Sequence, residues 1–135
     1  MKEMTCEATL DNIEAVTNFV NAELKVLSCP LGVRAQIDLV VDEMFANIAN
    51  YAYNPSVGYA TVRVEPCENP RAVVITFIDC GKPYDPLTAK EPDVTLSAEE
   101  REVGGLGIFL VKHTMDSLSY EYKDGNNIFR ITKAF

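Results

Sequence analysis

Glu43 and Asn47 stand four residues apart in the stretch Asp42-Glu43-Met44-Phe45-Ala46-Asn47. On a helix that spacing puts them about 40° apart around the axis and one turn along it. An asparagine amide oxygen is a neutral hard ligand, suited to a Mg²⁺ ion that keeps several waters and takes its other ligands from phosphates. A carboxylate one turn away can accept a proton from a hydroxyl or water attacking a γ-phosphate. The plainer reading of the pair is a solvated polar flank. About thirty residues on, Asp79 closes a strongly apolar run and is followed by Cys80 and Gly81. A carboxylate there can accept a hydrogen bond from an adenine amino group, and Gly81 lets the backbone pass close to the base. The plainer reading is a strand-ending turn. Gly104-Gly105-Leu106-Gly107 then precedes an apolar helical segment. Glycines before a helix N-terminus let exposed N–H groups approach phosphate oxygens, aided by the helix dipole. The plainer reading is a hinge.

Two other phosphate-binding patterns are excluded. There is no G-x-x-x-x-G-K-[ST], and the glycines do not follow a strand directly as a Rossmann turn requires. Taken together, a Mg²⁺ ligand with a base on one helix, an adenine-reading aspartate and a glycine-bearing helix start make a nucleotide site. Its logic is positioning and charge neutralisation, with little covalent work for the protein.

The elements that must position these groups follow from periodicity. Residues 3–9 alternate as a first strand. Asp11-Asn12-Ile13-Glu14 has the form of a capping box. Ile13, Val16, Val20, Leu24 and Leu27 then recur at helical spacing, which predicts a helix of about 16 residues. Ser28, Pro30 and Gly32 break it. A second helix is predicted over about 31–53, with Ile37, Val41, Met44 and Ile48 as its apolar stripe and Phe45 and Ala52 widening it. Glu43 and Asn47 fall on the flank of that stripe, roughly 100° from its centre. Residues 57–66 and 71–79 read as strands of a hairpin turning at Glu68-Asn69-Pro70. Between 82 and 103 the periodicity dissolves into three prolines and six acids against three basic residues. A long irregular segment of this kind inside a compact domain reads as a lid, ordered by nucleotide. A short helix over 106–115 and a hairpin of 118–123 and 128–132 around Asp124-Gly125 complete the chain. The order β-α-α-β-β-loop-α-β-β predicts an α+β two-layer sandwich: a mostly antiparallel, mixed sheet with helices on one face, in a single domain over 1–135.

Composition narrows the function classes. Twelve basic residues against twenty acidic ones give a net charge of −8. Duplex binding draws most of its non-specific affinity from phosphate neutralisation, so direct nucleic-acid contact is disfavoured and a basic protein partner fits better. Cys6, Cys29, Cys67 and Cys80 form no C-x-x-C pair, and His113 is the one histidine. That argues against zinc and for reduced thiols in a cytoplasmic protein. No signal-peptide pattern opens the chain and no apolar run has membrane-spanning length.

With these residues in hand, the chain resembles the anti-sigma-factor serine kinases of the GHKL (Bergerat-fold) superfamily. The resemblance covers residues 3–135. It is carried by 41–49 (Val-Asp-Glu-Met-Phe-Ala-Asn-Ile-Ala), 77–86 (Phe-Ile-Asp-Cys-Gly-Lys-Pro-Tyr-Asp-Pro) and 105–111 (Gly-Leu-Gly-Ile-Phe-Leu-Val). It implies Glu43 as catalytic base, Asn47 as Mg²⁺ ligand, Asp79 and Gly81 at adenine, and Gly104, Gly105, Leu106 and Gly107 at the phosphates beside a lid of about 82–103. It further implies ATP and Mg²⁺ as cofactors, and a sigma factor and a phosphorylatable antagonist protein as partners. It leaves room for a homodimer. Three positions depart from the family pattern. Tyr51 stands where a histidine is frequent, and Val103 where some members have arginine, with Arg101 out of register. Asn126-Asn127 replaces a small Gly/Thr pair. The alternative is a nucleotide-binding module that sequesters a partner without phosphotransfer.

Overall fold

In a computed structural model, residues 1–88 and 105–135 are described. Strand β1 (Lys2–Glu7) leads through a 3₁₀ turn (Leu10–Asn12) into helix α1 (Ile13–Val26), and helix α2 (Leu31–Asn47) follows. A single π-helical turn, Ile48–Ala52, extends α2. Strands β2 (Tyr59–Cys67) and β3 (Ala72–Asp79) come next, then a 3₁₀ turn (Pro86–Thr88), helix α3 (Gly105–Thr114), and strands β4 (Ser117–Lys123) and β5 (Asn126–Ala134). The fold is the α+β sandwich that the element order predicts. The sheet runs β1-β2-β3-β5-β4, and among the described residues all four pairings are antiparallel, so the sheet is not mixed as expected. No helix among the described residues is long and apolar enough to cross a membrane.

The core lies between the helices and one face of the sheet. Two rows of buried side chains cross the central strands in register: Val64, Ile75 and Ile131, then Val62, Phe77 and Phe129. Val16, Val20 and Leu24 of α1 and Ile37, Val41 and Phe45 of α2 pack onto them. Period 2 in the strands and 3.6 in the helices put these residues on facing surfaces. The next row along the sheet is Ala60, Asp79 and Asn127. The inner face therefore turns polar at one end.

Local details depart from the sequence expectations. Asp11 lies in the 3₁₀ turn, and among the described residues no side chain caps α1. The Asn12 amide instead donates to the Glu7 carbonyl at 2.8 Å, so the side chain best placed to cap is holding the strand–helix connection. The second helix, expected to run to about 53, reaches Ala52, but as α-helix only to Asn47. Asp124 and Gly125 both have positive φ, the backbone that a two-residue hairpin of this twist requires. With so tight a turn, β5 begins at Asn126, two residues earlier than expected.

Candidate nucleotide site

Asp79 sits at the last position of β3, 7 % exposed, where the core row ends. Its Oδ1 accepts two hydrogen bonds: from the Gly81 N–H at 2.9 Å, and from Asn127 Nδ2 at 2.9 Å. Asn127 is itself buried, directly opposite Asp79 in the register. Its amide orientation is settled by its neighbours. The Tyr84 N–H can only donate and meets Asn127 Oδ1 at 3.1 Å, while the Lys82 carbonyl can only accept and meets Nδ2 at 2.8 Å. The Tyr120 hydroxyl adds a second donor to Asn127 Oδ1. Asn127 thus turns one oxygen of Asp79 inward. The second oxygen, Oδ2, has no donor among the described residues and is the one a ligand can use.

Gly81 is where the chain can come closest to the π turn. A Cβ there would collide with the Ala52 carbonyl oxygen, which accepts the Lys82 N–H at 2.9 Å. The glycine is therefore used to bring the end of β3 against the end of α2, a closer approach than any side chain allows.

On α2, Glu43 is exposed and Asn47 half-buried. Gly107, in the first turn of α3, packs against Glu43: a Cβ built on it would come within 2.5 Å of Glu43 Oε2. The predicted base and the third glycine of the cluster are thus brought together. Gly105 and Leu106 are in that same first turn of α3. Gly104, Val103, Arg101 and the part of the expected lid from 89 onward lie outside the described residues. Tyr51 is 49 % exposed in the π turn.

Two residues of the site escaped the sequence reading. Asn127 was legible only as a departure in a turn, although an asparagine pair inside a strand runs against β-propensity and is a signal of a polar task. Tyr53, just after the π turn, donates to the Tyr59 carbonyl and accepts from the Cys80 N–H. Burial pushes its phenol above the ordinary range, with the Cys80 N–H opposing that shift.

The arrangement fits a nucleotide. A buried carboxylate keeps one free oxygen at a sheet end, a hard amide oxygen lies one turn from a carboxylate, and a glycine-lined helix start abuts that carboxylate. These features define a GHKL-type ATP-binding fold. The chain belongs to the histidine kinase-like ATPase domain family, whose model matches residues 6–133. Over 99 residues it is 32% identical to the serine/threonine-protein kinase BtrW of Bordetella bronchiseptica, covering 73% of this chain and 69% of that protein.

Proposed function

We propose that this protein is an ATP-dependent serine/threonine protein kinase that acts as an anti-sigma factor. It would hold a sigma factor in the cytoplasm and phosphorylate a serine of a small antagonist protein. The observation that carries the reading is the meeting of Glu43 with Gly107, which puts a carboxylate at the start of a glycine-rich helix. The similarity to a serine/threonine-protein kinase supports the same chemistry.

In this reading Asp79 Oδ2 accepts the adenine amino group, while Asn127 holds the carboxylate in that orientation. The N–H groups of α3's first turn face phosphate oxygens. Asn47 would supply an amide oxygen to Mg²⁺, and the bound ion would offset phosphate charge. Glu43 would accept the proton of the serine hydroxyl as its oxygen bonds to the γ-phosphorus and the bond from that phosphorus to the departing ADP breaks. Gly107 leaves that carboxylate room.

The test is transfer of radiolabelled γ-phosphate from ATP to a candidate antagonist domain, with Glu43→Ala as control. Transfer by wild type and not by the variant supports the kinase. Tyr51, standing where histidine is frequent in the family, favours a second reading in which ATP is bound and a partner sequestered without transfer. ATP binding with no transfer to any antagonist would select it.

A further inference from the structure

We propose that the Tyr53 hydroxyl is a positioning group for Asp79, a wedge that ends the β2–β3 ladder where the nucleotide base is to be read. The inference rests on the reading of Asp79 as the acceptor for the base. The ladder's last pair is Ala60 with Asp79. One step further, Tyr59 and Cys80 would face each other as the next pair. Between them lies the Tyr53 hydroxyl, which donates to the Tyr59 carbonyl at 2.5 Å and accepts from the Cys80 N–H at 2.7 Å. A carbonyl can only accept and an amide N–H can only donate, so the direction of both bonds is set. The ring is seated against Gly58, where a Cβ would overlap it.

The consequence is geometric. Because the hydroxyl occupies the next rung, the strand cannot continue past Asp79. Beyond Cys80, Gly81 lies against the Ala52 carbonyl, which accepts the Lys82 N–H. That turn places the Gly81 N–H on Asp79 Oδ1. Tyr53 also follows directly on the π turn that extends α2 beyond Asn47. One side chain thus ties the element carrying Glu43 and Asn47 to the strand end carrying Asp79. Without the hydroxyl, the Tyr59 carbonyl and Cys80 N–H lose their partner and are free to pair directly. The ladder would then close by one rung and draw Gly81 off Ala52, taking one of the two donors from Asp79.

The test is a double-mutant cycle read by calorimetric ADP binding on the whole chain: wild type, Tyr53→Phe, Asp79→Asn and the double variant. Tyr53→Phe should weaken ADP roughly fivefold or more. In the Asp79→Asn background the same change should cost under about twofold, since a group that acts through Asp79 has nothing left to position. Wild-type affinity in Tyr53→Phe, or an equal loss in both backgrounds, overturns the proposal and leaves Tyr53 a structural tyrosine. If Asp79→Asn alone binds ADP as wild type does, the base-site reading fails and this inference with it. Weak binding by Asp79→Asn beside normal binding by Tyr53→Phe sinks this inference alone. Should Tyr53→Phe not fold, Gly58→Ala, which displaces the ring and keeps the hydroxyl, is carried through the same cycle with the same criteria.

Discussion

At the scale of single residues, the site is a set of acceptors and donors with few spare partners. Asp79→Asn should weaken ATP by roughly tenfold or more, because a charged-partner hydrogen bond is worth about 1.5–3 kcal/mol. Calorimetry on the folded variant measures it, and unchanged affinity would remove Asp79 from the site. Glu43→Ala should keep most ATP affinity but lose about 10²–10⁴-fold in phosphotransfer. Gly107→Ala makes a sharper version of that experiment. Its methyl would press on Glu43 Oε2, the end of a flexible side chain, so the fold should survive while the carboxylate moves. Transfer should fall by a larger factor than ATP affinity, which is read beside it because Gly107 also lies in the phosphate-facing turn; a wild-type rate would mean that this displacement of the Glu43 carboxylate does not limit transfer. The spacing of Glu43, Asn47, Asp79, Gly81 and Gly107 was legible in the chain because each motif is local. Asn127 and Tyr53 were not. Their tasks depend on partners 48 and 27 residues away, and no local pattern states which asparagine will face Asp79 in the register.

At the scale of elements, helices α1 and α2 meet through polar pairs as well as apolar ones. Thr17 donates to Asp42 Oδ1 at 2.6 Å, and the Asn21 amide donates to Asp38 Oδ2 at 2.7 Å. Asp38 Oδ1 is buried with no partner among the described residues. Burial raises the Asp38 pKa; the Asn21 hydrogen bond, Arg34 and Lys25 pull it down, and Asp42 pushes it up. The folded state therefore binds this proton more readily than the unfolded chain does. The cost of the ionised carboxylate is present above the raised folded pKa. It is relieved as pH falls through that value and is gone below the unfolded one. Asp38→Asn keeps an oxygen for Asn21 but does not titrate. Wild type should thus gain stability relative to this variant as pH falls through the window, read as urea midpoints for both proteins. Parallel curves would mean that Asp38 is not destabilised by its seam. The helices themselves were legible from apolar spacing, and Ile37, Val41, Met44 and Ile48 are buried as expected. The π turn at Ile48–Ala52 was not. One extra residue in a turn leaves the apolar pattern almost unchanged, and the turn's contact with Gly81, through Ala52, is with a residue far along the chain.

At the scale of the whole molecule, helix and strand types were readable but strand order was not. Both hairpins announced themselves through Asn69 and Asp124-Gly125, whose positive φ values make tight turns. Nothing in either hairpin says that β5 rather than β4 lies beside β3, yet that choice brings Asn127 opposite Asp79. The site is consequently shared between α2, α3 and the central strands, and a ligand filling it should stabilise all of them as one unit. A ligand that binds only the folded state at a hundred times its Kd adds about 2.7 kcal/mol. For a domain of this size that is roughly 10 °C in Tm. Saturating ATP with Mg²⁺ should therefore raise Tm by about that amount, and ATP with a chelator by less. In Asn47→Ala the two ATP conditions should become equal, since the amide oxygen that Mg²⁺ would use is gone while the adenine contacts remain. A variant that keeps the full Mg²⁺ increment would remove Asn47 from the metal site. A wild type unmoved by ATP under either condition would defeat the nucleotide-site reading itself, because no occupant of a site shared by three elements can bind without raising their joint stability.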